Sequence, residues 1–287
     1  MPQEQVCING QLVPADQAGV SVFDAGFMQG VGLFETMRAY GGRVFRLERH
    51  LDRLVNSAGE LGWTIIPDHE QMTESINAVL SAVGPHDLRV RLTVTTGSLR
   101  AAEAGAPELT TVVTASPGGK YPDAYYEQGV EVVISRFRQS RFDPLAGHKT
   151  TSYFGRLAAL REAHGKGALE AIWLNDQAFV AEGAISNVFA VRDGRLVTPP
   201  LAAPILPGTT RATVIELATS IGVAIEETNL TAEQLKSSAE VFLTNSMMEI
   251  MPVTRIERGA IGDGRPGAIT RRLAALYSEC VARECRQ

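Results

Sequence analysis

Apolar residues recur at helical spacing between 46 and 62. Leu47, Leu51, Leu54, Val55, Ala58 and Leu61 share one face, and Gly62 follows as a stop signal. A second helix is expected over 69–83. Leu88, Val90, Leu92 and Val94 then alternate with Arg89, Arg91, Thr93 and Thr95, the pattern of a half-buried strand, and 109–114 reads as another strand. Nearer the start, 5–13 reads as a short strand pair turning at Asn9-Gly10. Between about 115 and 129 the texture changes: Ser116-Pro117-Gly118-Gly119 and then Pro122 interrupt any regular element. Beyond that break the pattern predicts a strand over 130–135 and a helix over 150–165. A meander follows over 169–174, 177–181, 186–191 and 195–198, with turns at Asn175-Asp176 and Asp193-Gly194. Helix 209–221, strand 223–228, a short helix near 231–237 and strand 239–244 come next, and a last helix runs from Pro266-Gly267 to about 284. Strands cluster with strands rather than alternating strictly with helices, so the fold class is α+β. The expected division is a small N-terminal α+β domain over 1–117, a linker over 118–127 and a large C-terminal domain over 128–287.

Composition narrows the function. The chain has 287 residues, 45% of them hydrophobic and 21% charged, enough apolar side chain for a sizeable core. A net charge of -5 argues against nucleic acid as a partner, since that contact needs a basic surface, but it leaves room for a local anion pocket. The start, Met1-Pro2-Gln3-Glu4-Gln5, is polar and lacks a signal pattern, and no apolar run reaches the length of a membrane span. Cys7, Cys280 and Cys285 form no C-x-x-C pair, and the plain expectation is a reduced cytoplasmic protein away from membranes. Histidines 50, 69, 86, 148 and 164 show no metal-ligand spacing, so no metal is expected. Gly262-Asp263-Gly264-Arg265-Pro266-Gly267 matches G-x-G-x-x-G by letter, but too little chain follows for the unit that would bind a dinucleotide.

One constellation survives these exclusions. His148-Lys149-Thr150-Thr151-Ser152-Tyr153 carries a lysine where a glycine-containing loop enters a predicted helix. Ala181-Glu182-Gly183-Ala184-Ile185-Ser186-Asn187 sets an acid in a nearly uncharged stretch between strands. Leu206-Pro207-Gly208-Thr209-Thr210-Arg211 opens a helix with glycine and two hydroxyls, a ready anion cradle. Leu243-Thr244-Asn245-Ser246-Met247-Met248-Glu249 ends a strand in polar groups. A lysine, a sheltered acid and a phosphate cradle are the parts that pyridoxal 5'-phosphate needs.

Taken in order, these segments resemble the fold-type IV pyridoxal-phosphate enzymes: branched-chain aminotransferases, D-amino-acid aminotransferases and aminodeoxychorismate lyases. The resemblance extends over nearly the whole chain, from Asp24-Ala25-Gly26-Phe27 through Gly30-Val31-Gly32-Leu33-Phe34-Glu35-Thr36 and His50-Leu51-Asp52-Arg53-Leu54 to the glycine-rich segment at 262–267. It implies a two-domain architecture with the cofactor in the interdomain cleft, and a homodimer. Lys149 then resembles the lysine that holds the cofactor covalently and moves protons, and Glu182 the acid facing the pyridine nitrogen. Arg53, Thr209, Thr210 and Ser246 resemble the phosphate-binding set, and Tyr153 a contact to the phenolic oxygen. Met247 and Met248 match positions whose backbone N–H groups meet the substrate carboxylate; as bare methionines they would read as core packing.

Within the family the motifs divide. D-amino-acid enzymes carry a tyrosine at the position of Phe34 and an Arg-x-His carboxylate trap; Arg100 supplies the arginine here, but Ala102 replaces the histidine. Thr36 and the stretch from Asn245 to Val253 look more like the lyases, which release pyruvate from aminodeoxychorismate to give 4-aminobenzoate, with Thr36 a helper in proton transfer. The tail from Ile261 to Arg271 looks like the aminotransferases. The preferred expectation is an aminotransferase moving an amino group between a hydrophobic, branched-chain amino acid and a 2-oxo acid. Phe27, Phe34, Met247 and Met248 supply the apolar side of the substrate pocket in that expectation.

Overall fold

The structure is a computed structural model and describes residues 5–118 and 121–286. Two compact units divide it. The first holds the described part of Met1–Gly119 together with His148–Ser152 and Val281–Gln287; the second holds Lys120–Gly147 and Tyr153–Cys280, again as far as described. The expected domain limits are contiguous stretches of chain, whereas the first unit also takes in two short later segments.

In the first unit the elements are β1 (Gln5–Ile8), β2 (Gln11–Pro14), α1 (Ala25–Gln29), β3 (Gly32–Tyr40), β4 (Arg43–Val44), α2 (Leu47–Glu60), α3 (His69–Val83), β5 (Leu88–Thr95), α4 (Leu99–Glu103) and β6 (Thr110–Pro117). The strands form one antiparallel sheet in the order β2-β1-β6-β5-β3-β4. Leu51, Leu54 and Ala58 of α2 and Met72, Ile76 and Val79 of α3 bury against Leu33, Met37, Val90, Leu92 and Val113 of the strands. Strand β3 escaped the pattern reading because it hardly alternates: every residue but Thr36 is buried, Glu35 and Arg38 included. The front of β3 is also where His148–Ser152 returns. Phe34 donates its N–H to the Lys149 carbonyl at 2.9 Å, Thr151 donates to the Gly32 carbonyl at 2.8 Å, and Thr150 bridges Leu33. With their backbone groups committed to a strand edge, these residues cannot begin the helix expected from 150. Strand β6 continues through Ser116 and Pro117, so the regular structure reaches into the predicted break; Gly119 and Lys120 of the expected linker lie outside the described residues.

The second unit contains α5 (Asp123–Gln128), β7 (Val130–Gln139), α6 (Phe154–Gly165), β8 (Glu170–Asn175), β9 (Val180–Gly183), β10 (Asn187–Arg192), β11 (Arg195–Thr198), α7 (Thr209–Ser220), β12 (Ile225–Glu227), α8 (Ala232–Lys236), β13 (Glu240–Asn245), β14 (Glu249–Ile256), β15 (Gly259–Ala260) and most of α9 (Ala268–Cys285). Its sheet runs β12-β11-β10-β13-β14-β7-β8-β9, with β15 on β14. The sheet is mixed: β7 lies parallel to both β8 and β14, while β13 pairs antiparallel with β10 and β14. Much of the stretch read as linker is the helix α5, and its Tyr126 donates to the Met248 carbonyl at 3.1 Å and packs on the core. Strand β14 was hidden by Pro252, a residue that argues against a central strand because it lacks an N–H. The helix start behind the glycine-rich segment, at the front of α9, is occupied from within the protein. Glu240 fills that helix start, accepting from the N–H groups of Ile269 and Thr270 and from the Thr270 hydroxyl, and a Cβ at Gly267 would collide with its side chain.

Candidate active site

In the first unit the chain return along β3 fixes Lys149. Its Nζ sits 4.6 Å from the centre of the Phe34 ring, and Phe34 is almost fully buried. The Arg91 guanidinium lies 3.9 Å from the centre of the same ring. One strand residue further on, Glu35 is wholly buried and tied to α2. Its Oε1 accepts from Arg53 Nε at 2.8 Å, and its Oε2 accepts from Arg53 Nη2 at 2.5 Å and from His50 Nδ1 at 2.7 Å. His50 and Arg53 are one helical turn apart, which brings both to the same carboxylate. Burial alone would raise the Glu35 pKa. The Arg53 charge and the hydrogen bonds from His50 and Arg53 outweigh it and hold the carboxyl well below its usual range. Burial pushes His50 down, more than the Glu35 charge raises it, so the neutral ring donates Nδ1–H to Glu35. Arg53 is thus held rigid by its own shell, with its side chain 10% exposed.

In the second unit Glu182 is the penultimate residue of β9, with its side chain 2% exposed. Its Oε1 accepts from Arg156 Nη2 at 2.5 Å; its Oε2 accepts from the Leu206 N–H at 3.0 Å and, at 3.5 Å, from the Asn187 amide. Asn187 also donates to the Leu206 carbonyl at 2.9 Å, so acid and loop 206–208 are locked together. That loop delivers α7. Gly208 is the N-cap, no side chain caps the helix, and Thr209 and Thr210 are buried in its first turn. A Cβ at Gly208 would overlap the Asn187 carboxamide oxygen, so a side chain there would push Asn187 off its contacts to Leu206 and Glu182. A helix N-terminus without a capping side chain offers N–H donors and the positive end of the helix dipole to an anion.

Comparison with known proteins decides the family. The family model for class IV amino-transferases matches residues 32–256. A branched-chain-amino-acid aminotransferase of Salmonella typhimurium is 30% identical over 283 residues, covering 96% of this chain and 92% of its own. A D-alanine aminotransferase of Listeria monocytogenes is 30% identical over 286 residues, covering 98% of this chain and 97% of its own. The crystal structure of a T.th. branched-chain amino acid aminotransferase with pyridoxamine 5'-phosphate superposes with a TM-score of 0.89 at 30% identity, over 96% of this chain and 93% of that one. The chain belongs to the class IV aminotransferases. Its fold is that of the fold-type IV enzymes, its cofactor is pyridoxal phosphate, and its substrates are an amino acid and an oxo acid.

The residues of this aminotransferase fit the cofactor chemically: an amine beside an aromatic ring, a rigid arginine, an uncapped helix start cleared by a glycine, and a buried carboxylate. A carboxylate can accept more than the contacts Glu182 already makes, so a ring N–H remains within its capacity. Other expected positions fall differently. Met248 is fully buried in the core, and the N–H groups of Met247 and Met248 both donate to the Asn245 carboxamide, at 2.9 and 2.7 Å. They are therefore occupied donors rather than open ones, and Asn245 is the residue that takes them. The Tyr153 hydroxyl donates to the Ala184 carbonyl at 3.2 Å. Arg100 is exposed on α4 and stacks 3.3 Å over the Phe23 ring. Thr36 is half-buried on β3 opposite Arg91, and Ser246 lies in the turn after β13. Phe27 is largely exposed on α1.

Four residues of the two separate clusters went unremarked as functional in the sequence: Glu35, His50, Arg156 and Glu170. The signal for the first two was present, since Glu35 and His50 sit inside the two quoted motifs. Glu170 on β8 is wholly buried and accepts from the N–H groups of Ala171, Ala184 and Ile185 and from the Ser186 hydroxyl. These bonds shape the turn directly after Glu182. Burial nonetheless pushes its carboxyl from the usual 4.5 up to about 7. A raised carboxyl pKa favours the fold while protonated, and that contribution is complete below 4.5 and lost as pH rises through about 7. Urea unfolding followed from pH 5 to 8 should show Glu170→Gln gaining ~2–3 kcal/mol on the wild type across that window. A constant difference between the two proteins over the same range contradicts the assignment.

No helix among the described residues is long and apolar enough to cross a membrane, and no group of metal-ligating side chains occurs among them.

Proposed function

We propose that the enzyme transfers the amino group of a branched-chain amino acid to a 2-oxo acid, with Lys149 as its catalytic residue. The observation that carries the proposal is the strand-edge fixation of Lys149, which sets its Nζ against the apolar face of Phe34. When bound, pyridoxal phosphate supplies an aldehyde that accepts the amino group and a ring that accepts electrons. Lys149 Nζ is the amine that would hold the cofactor and would serve as the proton carrier at the substrate carbon. Arg53 would offer its guanidinium to the phosphate, and the first-turn N–H groups and hydroxyls of Thr209 and Thr210, with the Ser246 hydroxyl, would offer further donors to it. Glu182 would accept the ring N–H, and Tyr153 would serve the phenolic oxygen.

The branched-chain preference is supported by the branched-chain aminotransferases among the relatives and by Phe34, an apolar wall beside Lys149. Thr36 and Arg100 line the substrate side in this reading, with the Met247 side chain contributing apolar surface. We propose further that the enzyme is a homodimer of the cytoplasm without nucleic-acid partners. Supporting observations are the exposed apolar Phe27 and Met28 on α1, the absence of a C-x-x-C motif in the sequence, and the net charge of -5.

Single-substrate half-reactions test the reading. The holoenzyme is mixed separately with L-leucine, L-valine, L-glutamate and D-alanine while the visible absorbance of the cofactor is followed; pyruvate release from aminodeoxychorismate is assayed in parallel. Conversion by L-leucine and L-valine is expected. Response to D-alanine alone moves the enzyme to the D-specific branch, and pyruvate release without any half-reaction moves it to the lyases.

A further inference from the structure

We propose that Arg156 is a positioning residue that shares the charge of Glu182 and thereby loosens the hold of that acid on the proton of the cofactor's pyridine nitrogen. The proposal deepens the reading of Glu182 as the ring-nitrogen partner and rests on it.

The guanidinium is built into the turn that carries the acid. Arg156 lies on α6, a few residues after Tyr153, and its Nη2 donates to Glu182 Oε1 at 2.5 Å and to the Gln139 side-chain oxygen at 3.4 Å. Its Nη1 donates to the carbonyls of Gly183 and Ala184, both at 3.3 Å, and its plane lies 5.4 Å from the Trp173 ring centre. Arg156 is therefore bound to the carboxylate, to the two residues after it and to an aromatic wall, and cannot swing away without breaking all of these. With Glu182 buried and Arg156 21% exposed, little water screens the pair.

The chemistry follows from charge. A lone buried carboxylate would bind a ring N–H⁺ tightly, because nothing else compensates its charge. A carboxylate already paired with a guanidinium has less negative potential to offer, so the ring proton leaves at lower pH. Burial opposes the charge on Arg156, but Glu182 more than restores it and raises the guanidinium pKa, so Arg156 stays a cation throughout. Among the described residues, Tyr153 at the N-cap of α6 and Glu170 on β8 also act on the charge of Arg156. Glu170 titrates near 7, so above pH 8 it is ionised and constant.

The test is a pH titration of the ring nitrogen itself. Apoenzyme is reconstituted with pyridoxal phosphate labelled with ¹⁵N in the ring, and the nitrogen resonance is followed from pH 6 to 10. The wild type should lose the ring proton inside this range. Arg156→Gln should raise the midpoint by at least about one pH unit, a tenfold change in proton affinity. Arg156→Lys keeps the charge as a point without the fork and should fall between the two; it carries the test alone if the glutamine variant does not fold. A ring that stays protonated to pH 10 in the wild type, or a midpoint unmoved in the folded Arg156 variants, overturns the proposal. Glu182→Gln separates the two levels. If it lowers the midpoint while the Arg156 variants stay silent, only the role of Arg156 falls. If it leaves the midpoint in place, Glu182 is not the ring-nitrogen partner.

Discussion

Lys149→Ala should reduce transamination by about 10⁴-fold or more, because one side chain supplies both the covalent anchor and the moving proton. Cofactor binding should persist without the covalent link, since Arg53 and the start of α7 do not depend on the lysine side chain. The fold should persist as well. What seats residues 149–151 on β3 is backbone hydrogen bonding, from Phe34 N–H to the Lys149 carbonyl and from Thr151 N–H to the Gly32 carbonyl, and alanine keeps both. Borohydride reduction followed by peptide mass mapping checks the anchor: the wild type should carry the modification on Lys149 and the variant on no lysine. Wild-type protein modified at another lysine would remove Lys149 from its role.

Arg53→Ala is expected to destabilise the first unit strongly, for a reason separate from phosphate binding. It leaves Glu35 fully buried with only the neutral His50 as donor, and breaking a buried ion pair from one side typically costs ~3–5 kcal/mol. A double variant, Arg53→Met with Glu35→Gln, removes both charges and should recover most of that stability, because buried pairs exchanged for neutral groups are often close to neutral overall. Cofactor affinity should not recover with it. Chemical denaturation of the apo forms reads the first effect, and equilibrium titration with pyridoxal phosphate reads the second. If the double variant binds the cofactor as the wild type does, Arg53 serves the fold alone.

The contrast between Glu35 and Glu182 shows how far side-chain chemistry could be read ahead of the fold. Both are glutamates in apolar stretches, and the sequence resemblance assigned a role only to Glu182. The structure makes them similar: each is a buried carboxylate held by an arginine from a helix, Arg53 on α2 and Arg156 on α6. Arg156 lies 26 residues before Glu182 in the chain, and no periodicity links them. Only the packing of α6 against the sheet through Ala159 and Ala163 brings them together.

The sequence by itself determined the elements whose period is clean. Helices α2 and α3 and strand β5 follow directly from one-face and alternating patterns, because each buries one side only. It also determined the family, through spaced motifs whose residue types the cofactor chemistry requires. Tertiary structure decided the rest. Strand β3 is buried on both faces and so has no period to read, and β14 carries a proline that local rules exclude. Lys149 was expected at a helix start and instead lies on a strand edge, because the front of β3 had unpaired backbone groups that residues 149–151 satisfy. The N–H groups of Met247 and Met248, matched by resemblance to groups that meet the substrate carboxylate, donate to the Asn245 carboxamide. In each case a backbone group needed a partner, and which partner lay within reach was settled by contacts distant in sequence or by a side chain folding back on its own turn, neither of which a linear pattern encodes.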